Sequence, residues 1–295
     1  MQFDPAQLAA LSAVLRHGGF ETAAQDLGLT QSAVSQRIKA LETRAGAQLV
    51  TRAKPCTGTE AGRRLAAHAD QVALLEAQLA GDLSALAPAP QTRIRLALPA
   101  DSLATWFLDA LSDLPDHLFE LSIDDQDHSA DWLRRGEVLG AVTAQPDPAP
   151  GCDATPLGAL PYVATASPAF IARHFPSGVT AKALARAPML RFDPKDRLQH
   201  LWIERVTGTR LSPPSHRLPS SEGFVQACRL GIGWGVNPVA LVADDLATGR
   251  LVALADGTRV DTPLYWQTPR LMAPALAALT RAVRHAARTH LAAPD

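Results

Sequence analysis

Residues 87–92 read "APAPQT", and the apolar pattern of the chain changes across them. Before this stretch the apolar stripes have helical spacing. After it, short apolar runs alternate with helical stripes. A Pro/Ala segment without periodicity joins such units as a hinge. The 295 residues therefore divide into an all-helical first part and an α/β second part, and the length accommodates two or three cores.

In the first part, Asp4-Pro5 opens a helix, with Asp as the cap and Pro at the first helical position. Leu8, Leu11, Val14 and Leu15 recur along it, and His17-Gly18-Gly19 ends it. A short second helix carries Phe20, Ala23, Ala24 and Leu27 on one face. It closes at Gly28, where glycine enters a positive-φ turn without penalty. Thr30 caps a third helix whose inner stripe is Val34, Ile38 and Leu41. Two helices joined by a tight Gly-containing turn, after a preceding helix, form a helix-turn-helix pattern. "QLVTRAKPCT" (48–57) then reads as a short two-stranded wing that exposes Arg52 and Lys54.

The third helix has the residue types that read DNA. Gln31, Ser32, Ser35 and Gln36 both donate and accept hydrogen bonds, and they follow Thr30 at the end that enters a major groove. Arg37, Lys39 and Arg52 neutralise phosphate. The net charge of the whole chain is −1, so any basic surface is local. Through residue 64 there are eight Lys/Arg against five Asp/Glu. A basic three-helix segment alone also fits the solvated face of a bundle. The wing and the helix that follows shift the reading to DNA.

That next helix starts at Thr59 and runs to about residue 86. Leu65, Val72, Leu79 and Leu86 repeat every seven residues along it, with Leu75 and Leu83 beside them. A seven-residue repeat favours a partner helix, and the expectation is a homodimer through this segment. The alternative is that the stripe packs on the chain's own globular part.

Beyond the hinge, strands are expected at 93–99, 118–124 and 139–144, then at "YVATAS", "PMLRF", "GWGV" and "PLYWQT". Helices are expected over 102–113, 129–135, 195–206, 221–230, from Pro238, and over 272–290. This alternation predicts parallel α/β layers in two small lobes. "GIGWGVN" (231–237) has the wrong glycine spacing for a dinucleotide fingerprint and predicts a buried strand approached closely by neighbouring backbone. Cys56, Cys152 and Cys228 are scattered, which argues against a disulfide framework and a structural zinc site. No hydrolase elbow, metalloprotease or Walker motif occurs, so no catalytic residues, metal or cofactor are expected. The N-terminus has no signal-peptide pattern and no apolar run reaches membrane-span length, so a cytoplasmic protein is expected.

The run "AAQDLGLTQSAVSQRIKALETRAGAQLVTR" (23–52), followed by "TEAGRRL" (59–65), resembles the DNA-binding domain of LysR-type transcriptional regulators. "ADSLATWFLDAL", "LRRGEVLGAVTAQ" and "SSEGFVQACRLGIGWGVNP" are similar to the arginine/lysine-responsive branch of that family, which controls exporters of basic amino acids. The resemblance implies a winged helix-turn-helix (1–58), a dimerisation linker helix (59–87) and a hinge (88–92). A two-lobed, periplasmic-binding-protein-like α/β effector domain follows, with lobe I at 93–160 plus 266–295 and lobe II at 161–265. It implies a homodimer or homotetramer, with double-stranded operator DNA and a small-molecule effector, L-lysine or L-arginine, as partners, and it allows RNA polymerase as a further one.

The resemblance also implies an effector site between the lobes, and the residues suggest what fits there. Ser102, at the start of helix 102–113, offers a donor for a ligand carboxylate, and Asp101 an acceptor for an α-ammonium. Asp124, Asp125 and Asp127 follow a strand's carboxyl end, where open α/β sheets bind ligands, and suit an ammonium or guanidinium. Thr143, Phe192, Asp193, Ser220, Ser221 and Glu222 complete the candidate set. Capping or solvated-loop roles compete for the three acids and for Ser220 and Ser221. Three other readings stay open: a LysR-type regulator for an anionic or aromatic metabolite, an architectural DNA-binding protein without ligand, and an α/β enzyme with a regulatory N-terminal domain.

Overall fold

The structure is a computed structural model, and it describes residues 3–82, 92–124 and 129–293. The N-terminal unit contains α1 (Pro5–His17), α2 (Phe20–Asp26), α3 (Gln31–Ala45), β1 (Val50–Thr51), β2 (Thr57–Gly58) and α4 (Glu60–Asp82). Local side chains set each start. The Asp4 carboxylate accepts from the Gln7 amide at 3.0 Å. The Thr30 hydroxyl accepts from Ala33 at 3.2 Å, and that of Thr59 accepts from Gly62 at 3.1 Å. Gly28 adopts φ 63°, which permits the turn before α3. Val34, Ile38 and Leu41 are fully buried against Leu11 and Val14. The wing strands pair antiparallel, Val50 with Gly58 and Thr51 with Thr57.

The stripe along α4 does not present one face to one neighbour. Of the stripe, Leu65 packs into the N-terminal core; Leu74, which lies outside the stripe, packs into the effector-domain core, so part of the helix is covered within its own chain. Val72 is half-buried, Leu75 and Leu79 are exposed, and Leu86 and the hinge at 88–91 lie outside the described residues. Two ion pairs tie α4 to the second unit, Asp70 with Arg95 at 2.7 Å and Arg63 with the buried Glu137 at 3.1 Å. Burial pushes the Asp70 carboxyl above its usual range, and Arg95 pulls it back down.

The second unit opens with β3 (Thr92–Leu98), α5 (Ala100–Thr105), α6 (Phe107–Ser112), β4 (His117–Ile123), α7 (Ser129–Arg134) and β5 (Gly140–Thr143). It continues through β6 (Cys152–Ala166), α8 (Pro168–His174), α9 (Ala181–Leu184), β7 (Met189–Arg191), α10 (Leu198–Thr207), β8 (Ser215–Arg217) and α11 (Ser221–Arg229). It ends with β9 (Gly235–Pro238), α12 (Val239–Thr248), β10 (Val252–Ala253), β11 (Arg259–Pro269), a 3-10 turn (Arg270–Met272) and α13 (Ala277–His290). No helix among the described residues is long and apolar enough to cross a membrane.

The expectation of parallel layers needs correction. Among the strands of the described residues, only β3–β4, β3–β5 and β7–β8 pair in parallel, with one further parallel bridge between Met189 and Trp234. A long antiparallel ribbon of β6 and β11 joins the lobes, in the sheet order β10-β6-β11-β5-β3-β4 with β9 also on β6. "YVATAS" and "PLYWQT" are the ends of these strands. Pro156, Gly158, Pro161 and Pro263 interrupt the strand pattern and hide the length of the runs. A register shift in the ribbon falls between Leu264 and Tyr265.

Two further expectations shift. The helix at 102–113 starts at Ala100 and breaks at the buried Trp106, which packs edge-on against Phe107 at 5.3 Å. In "GIGWGVN" the strand begins at Gly235, and the close approach is made by backbone and side chains together. A Cβ on Gly235 would lie 2.2 Å from the Phe224 ring, and one on Gly233 2.7 Å from Leu190 Cδ2 and 3.1 Å from the Pro188 carbonyl oxygen.

In lobe II, Asp245 is 1% exposed and clips α11 to α12. Its carboxylate accepts from Arg229 Nη2 at 2.6 Å and from Arg250 Nε at 2.7 Å. The Arg229 hydrogen bond leads the effects that hold this carboxyl below its usual range. Arg229→Met should therefore cost about 1–3 kcal/mol at neutral pH, because a buried carboxylate loses a charged donor that is itself partly exposed. The stability from a depressed carboxyl is present above its unfolded value and is lost as pH falls through the lower folded value. Urea unfolding of the variant and the parent at pH 7 checks the cost.

Candidate functional site

Two places gather polar side chains that the cores do not use. The first is the outer face of α3. At 100° per residue, Ser32, Gln36 and Lys39 lie opposite the buried stripe, and all three are exposed. Gln31 and Ser35 flank one side of that face, and the half-buried Arg37 flanks the other. The hydroxyls of Thr30 and Ser32 lie 3.0 Å apart, so the cap also steadies the first residues of this face. Glu42 Oε1 accepts from the Leu49 and Val50 amides at 2.9 and 3.3 Å and seats the wing on α3. The Arg52 guanidinium lies over the Phe20 ring, 5.3 Å from its centroid.

The second is a cavity of ≈ 230 Å³ between the lobes. One wall comes from the start of α5 (Ala100, Asp101) and the end of β4 (Asp124). The other comes from Phe192 and Lys195–Leu198, the start of α11 (Ser221), and β9 (Val236, Asn237). This size suits a small molecule such as an amino acid. Asp101 bridges the cleft, accepting from Ser221 Oγ at 2.5 Å and from the Tyr162 hydroxyl at 2.9 Å. Asp124 accepts from Trp132 Nε1 at 3.0 Å on one oxygen and from Lys195 Nζ at 3.3 Å on the other. Asp196 is buried and accepts from the Phe192 and Leu198 amides at 2.8 and 3.0 Å. Burial pushes its carboxyl up, against the pull of those two amides and Arg191.

Gln199 and Asn237 also line the cavity, and each is 1% exposed. The Asn237 amide donates to the Gly235 carbonyl at 3.2 Å, and Gln199 hydrogen-bonds the Asp196 carboxylate. Those partners only accept, so both NH₂ groups are assigned. The oxygens left over, Gln199 Oε1 and Asn237 Oδ1, have no partner among the described residues.

Of the candidate effector residues, Asp101, Asp124, Phe192 and Ser221 line this cavity. Ser102 does not: it is the third residue of α5 and fully buried, and its hydroxyl has no partner among the described residues. Thr143 is buried in β5, off the cavity, and its hydroxyl accepts from the Gln145 amide at 3.1 Å. Asp193 ties its own loop by accepting from the Lys195 and Asp196 amides at 2.6 and 2.9 Å. Ser220 caps α11 through the Gly223 amide at 3.1 Å, and Glu222 is exposed away from the lining. Asp125 and Asp127 lie outside the described residues. Sequence reasoning missed Lys195, Asp196, Gln199, Asn237 and Tyr162. Asn237 was findable, because it is a polar residue at the end of an apolar strand, the same signal that singled out Asp124.

A winged helix-turn-helix joined to a two-lobed α/β domain with a polar cavity in its cleft defines a ligand-responsive, DNA-binding regulator. Residues 5–63 match the model for the bacterial regulatory helix-turn-helix protein, lysR family, and residues 87–288 match the LysR substrate binding domain. The chain belongs to the LysR family of transcriptional regulators. It is 47% identical to the transcriptional regulator ArgP of Pseudomonas aeruginosa, over 94% of each chain. It is similar to the crystal structure of ArgP from Mycobacterium tuberculosis, with TM-score 0.81, 44% identity and all of both chains covered. It is also similar to full-length LysG from Corynebacterium glutamicum with its effector Arg bound, with TM-score 0.68, 38% identity, and 98% of this chain and 99% of that one covered.

Proposed function

We propose that this regulator binds a basic amino acid, lysine or arginine, in the cleft cavity, and that occupancy changes how its N-terminal heads engage operator DNA. The hydrogen-bonding capacity of the cavity carries the reading. Its lining carries three carboxylates, those of Asp101, Asp124 and Asp196, which need donors. A ligand rich in donors and positive charge meets that need, and an anionic one does not. The ligand's own carboxylate meets the amides that open α11 at Ser221. The arginine seen in the C. glutamicum relative supports the same class of effector.

In this reading Gln31, Ser32, Ser35 and Gln36 contact bases or phosphates, while Arg37, Lys39 and Arg52 anchor phosphates. The protein works in the cytoplasm as a homodimer or higher oligomer through α4, where Leu75 and Leu79 are exposed. Lobe I (93–160 plus 266–295) and lobe II (161–265) close about the β6–β11 ribbon. The Arg63–Glu137 and Asp70–Arg95 pairs pass that movement to α4. Coupling requires that the ligand bind the two arrangements with different affinity. The expected target is the gene of an exporter of basic amino acids.

A thermal-shift screen of the twenty amino acids, followed by operator footprinting, tests this. Saturating arginine or lysine should raise the unfolding temperature and alter the footprint. A response to acidic or aromatic metabolites, with none to arginine or lysine, overturns it.

A further inference from the structure

The Asp124–Lys195 ion pair joins positions 71 residues apart and crosses the cavity from the end of β4 to the loop before α10. The two ends are built differently. Trp132 Nε1 holds Asp124 Oδ2, so the orientation of the carboxylate is fixed and Oδ1 is turned to the Lys195 cation. On the other side the loop backbone is fixed, because Asp193 accepts from the Lys195 and Asp196 amides, and Asp196 accepts from Phe192 and Leu198. Beyond that fixed backbone, the Lys195 side chain is 46% exposed and has four carbons of flexible stem. An ion pair this open is worth little. The pair therefore consists of a rigid anion and a cation that leaves cheaply.

We propose that Lys195 is a tethered competitor for the effector's cationic subsite. Its ammonium occupies Asp124 until the cationic head of the effector replaces it, and Lys195 thereby sets the concentration at which the regulator responds. The inference rests on the reading that this cavity binds a basic amino acid. Entry of the ligand is an exchange of one cation for another on Asp124, after which Lys195 turns out to solvent. The neutral isostere citrulline brings no cation to contest the carboxylate, so Lys195 does not oppose it in the same way.

Calorimetric titration of the full-length protein with arginine and with citrulline tests the exchange. Lys195→Met should tighten arginine binding by about two- to fivefold, the worth of an exposed pair, and leave citrulline unchanged. Lys195→Arg, which keeps a tethered cation, should bind arginine as the parent does. Arginine affinity that is unchanged or weaker in Lys195→Met overturns the proposal; a loss would instead show Lys195 holding the effector carboxylate. If the parent protein binds arginine and the variants do not differ, only the exchange fails. If the parent binds neither arginine nor lysine, the assignment of the cavity fails with it.

Discussion

Gly62→Ala should abolish tight operator binding while leaving effector binding intact. A Cβ on Gly62 would lie 1.9 Å from the Leu49 carbonyl oxygen and 2.9 Å from its carbon. Neither atom gives way easily. The Leu49 amide is held by Glu42 at 2.9 Å, and its carbonyl accepts from the Thr59 amide at 3.0 Å. Alanine gains about 1 kcal/mol of helix propensity over glycine, but overpacking against fixed backbone costs about 1–3 kcal/mol and at this distance falls at the upper end or beyond. The net expectation is a loss of about 2 kcal/mol in the N-terminal unit, with the wing and the Arg52 anchor displaced from α3. The sequence supplies a clean readout. All five tryptophans, Trp106, Trp132, Trp202, Trp234 and Trp266, lie in the effector domain. Their fluorescence should report an unchanged transition while circular dichroism shows an earlier loss of helix. Parental operator affinity and superimposable unfolding curves in the variant would rule this account out.

Gly62 also shows where sequence reasoning reaches. It sits in "TEAGRRL", a run recognisable by resemblance, yet the reason for glycine there is a contact with Leu49, thirteen positions earlier, across the wing. Most of the N-terminal unit was legible because its determinants are local. Asp4, Thr30 and Thr59 each cap a helix through an amide three residues on, and Val34, Ile38 and Leu41 share a face by period alone. Glu42 escaped notice because its partners are seven and eight residues away in a different element.

The effector domain was legible as α/β but not as this sheet. A strand with prolines at 156 and 161 reads as broken, yet residues 152–166 are one strand, and its partner β11 returns from a hundred residues later. The cavity was half legible for the same reason. Asp101 and Asp124 each follow a strand end, which the rule for open sheets identifies. Their partners are set by tertiary packing: Asp101 meets Tyr162 and Ser221 across 61 and 120 positions, and Asp124 meets Lys195 across 71. Ser102 was misread by two residues of helix start. The helix begins at Ala100, and that offset turns a mouth-facing hydroxyl into a buried one.

Asp124→Asn should weaken arginine and lysine about 30-fold and leave citrulline nearly unchanged. The substitution is isosteric and keeps an oxygen for Trp132 Nε1, so the wall of the cavity survives while its charge does not. Removing one partner of a hydrogen-bonded charge pair costs about 2–5 kcal/mol, and the partial exposure of Asp124 places the loss at the low end, about 2 kcal/mol. Asp101 is a poorer probe, because its carboxylate also ties Ser221 and Tyr162 and its loss would disturb the cleft itself. The sharper expectation is coupling. If Lys195 acts only through Asp124, then Lys195→Met, which tightens arginine binding in the parent, has nothing to release in the Asp124→Asn background, and the gain should vanish there. Equal losses for arginine and citrulline would mean that Asp124 supports shape rather than charge. A gain that persists in the double variant would mean that Lys195 acts on the ligand through some other group in the cavity.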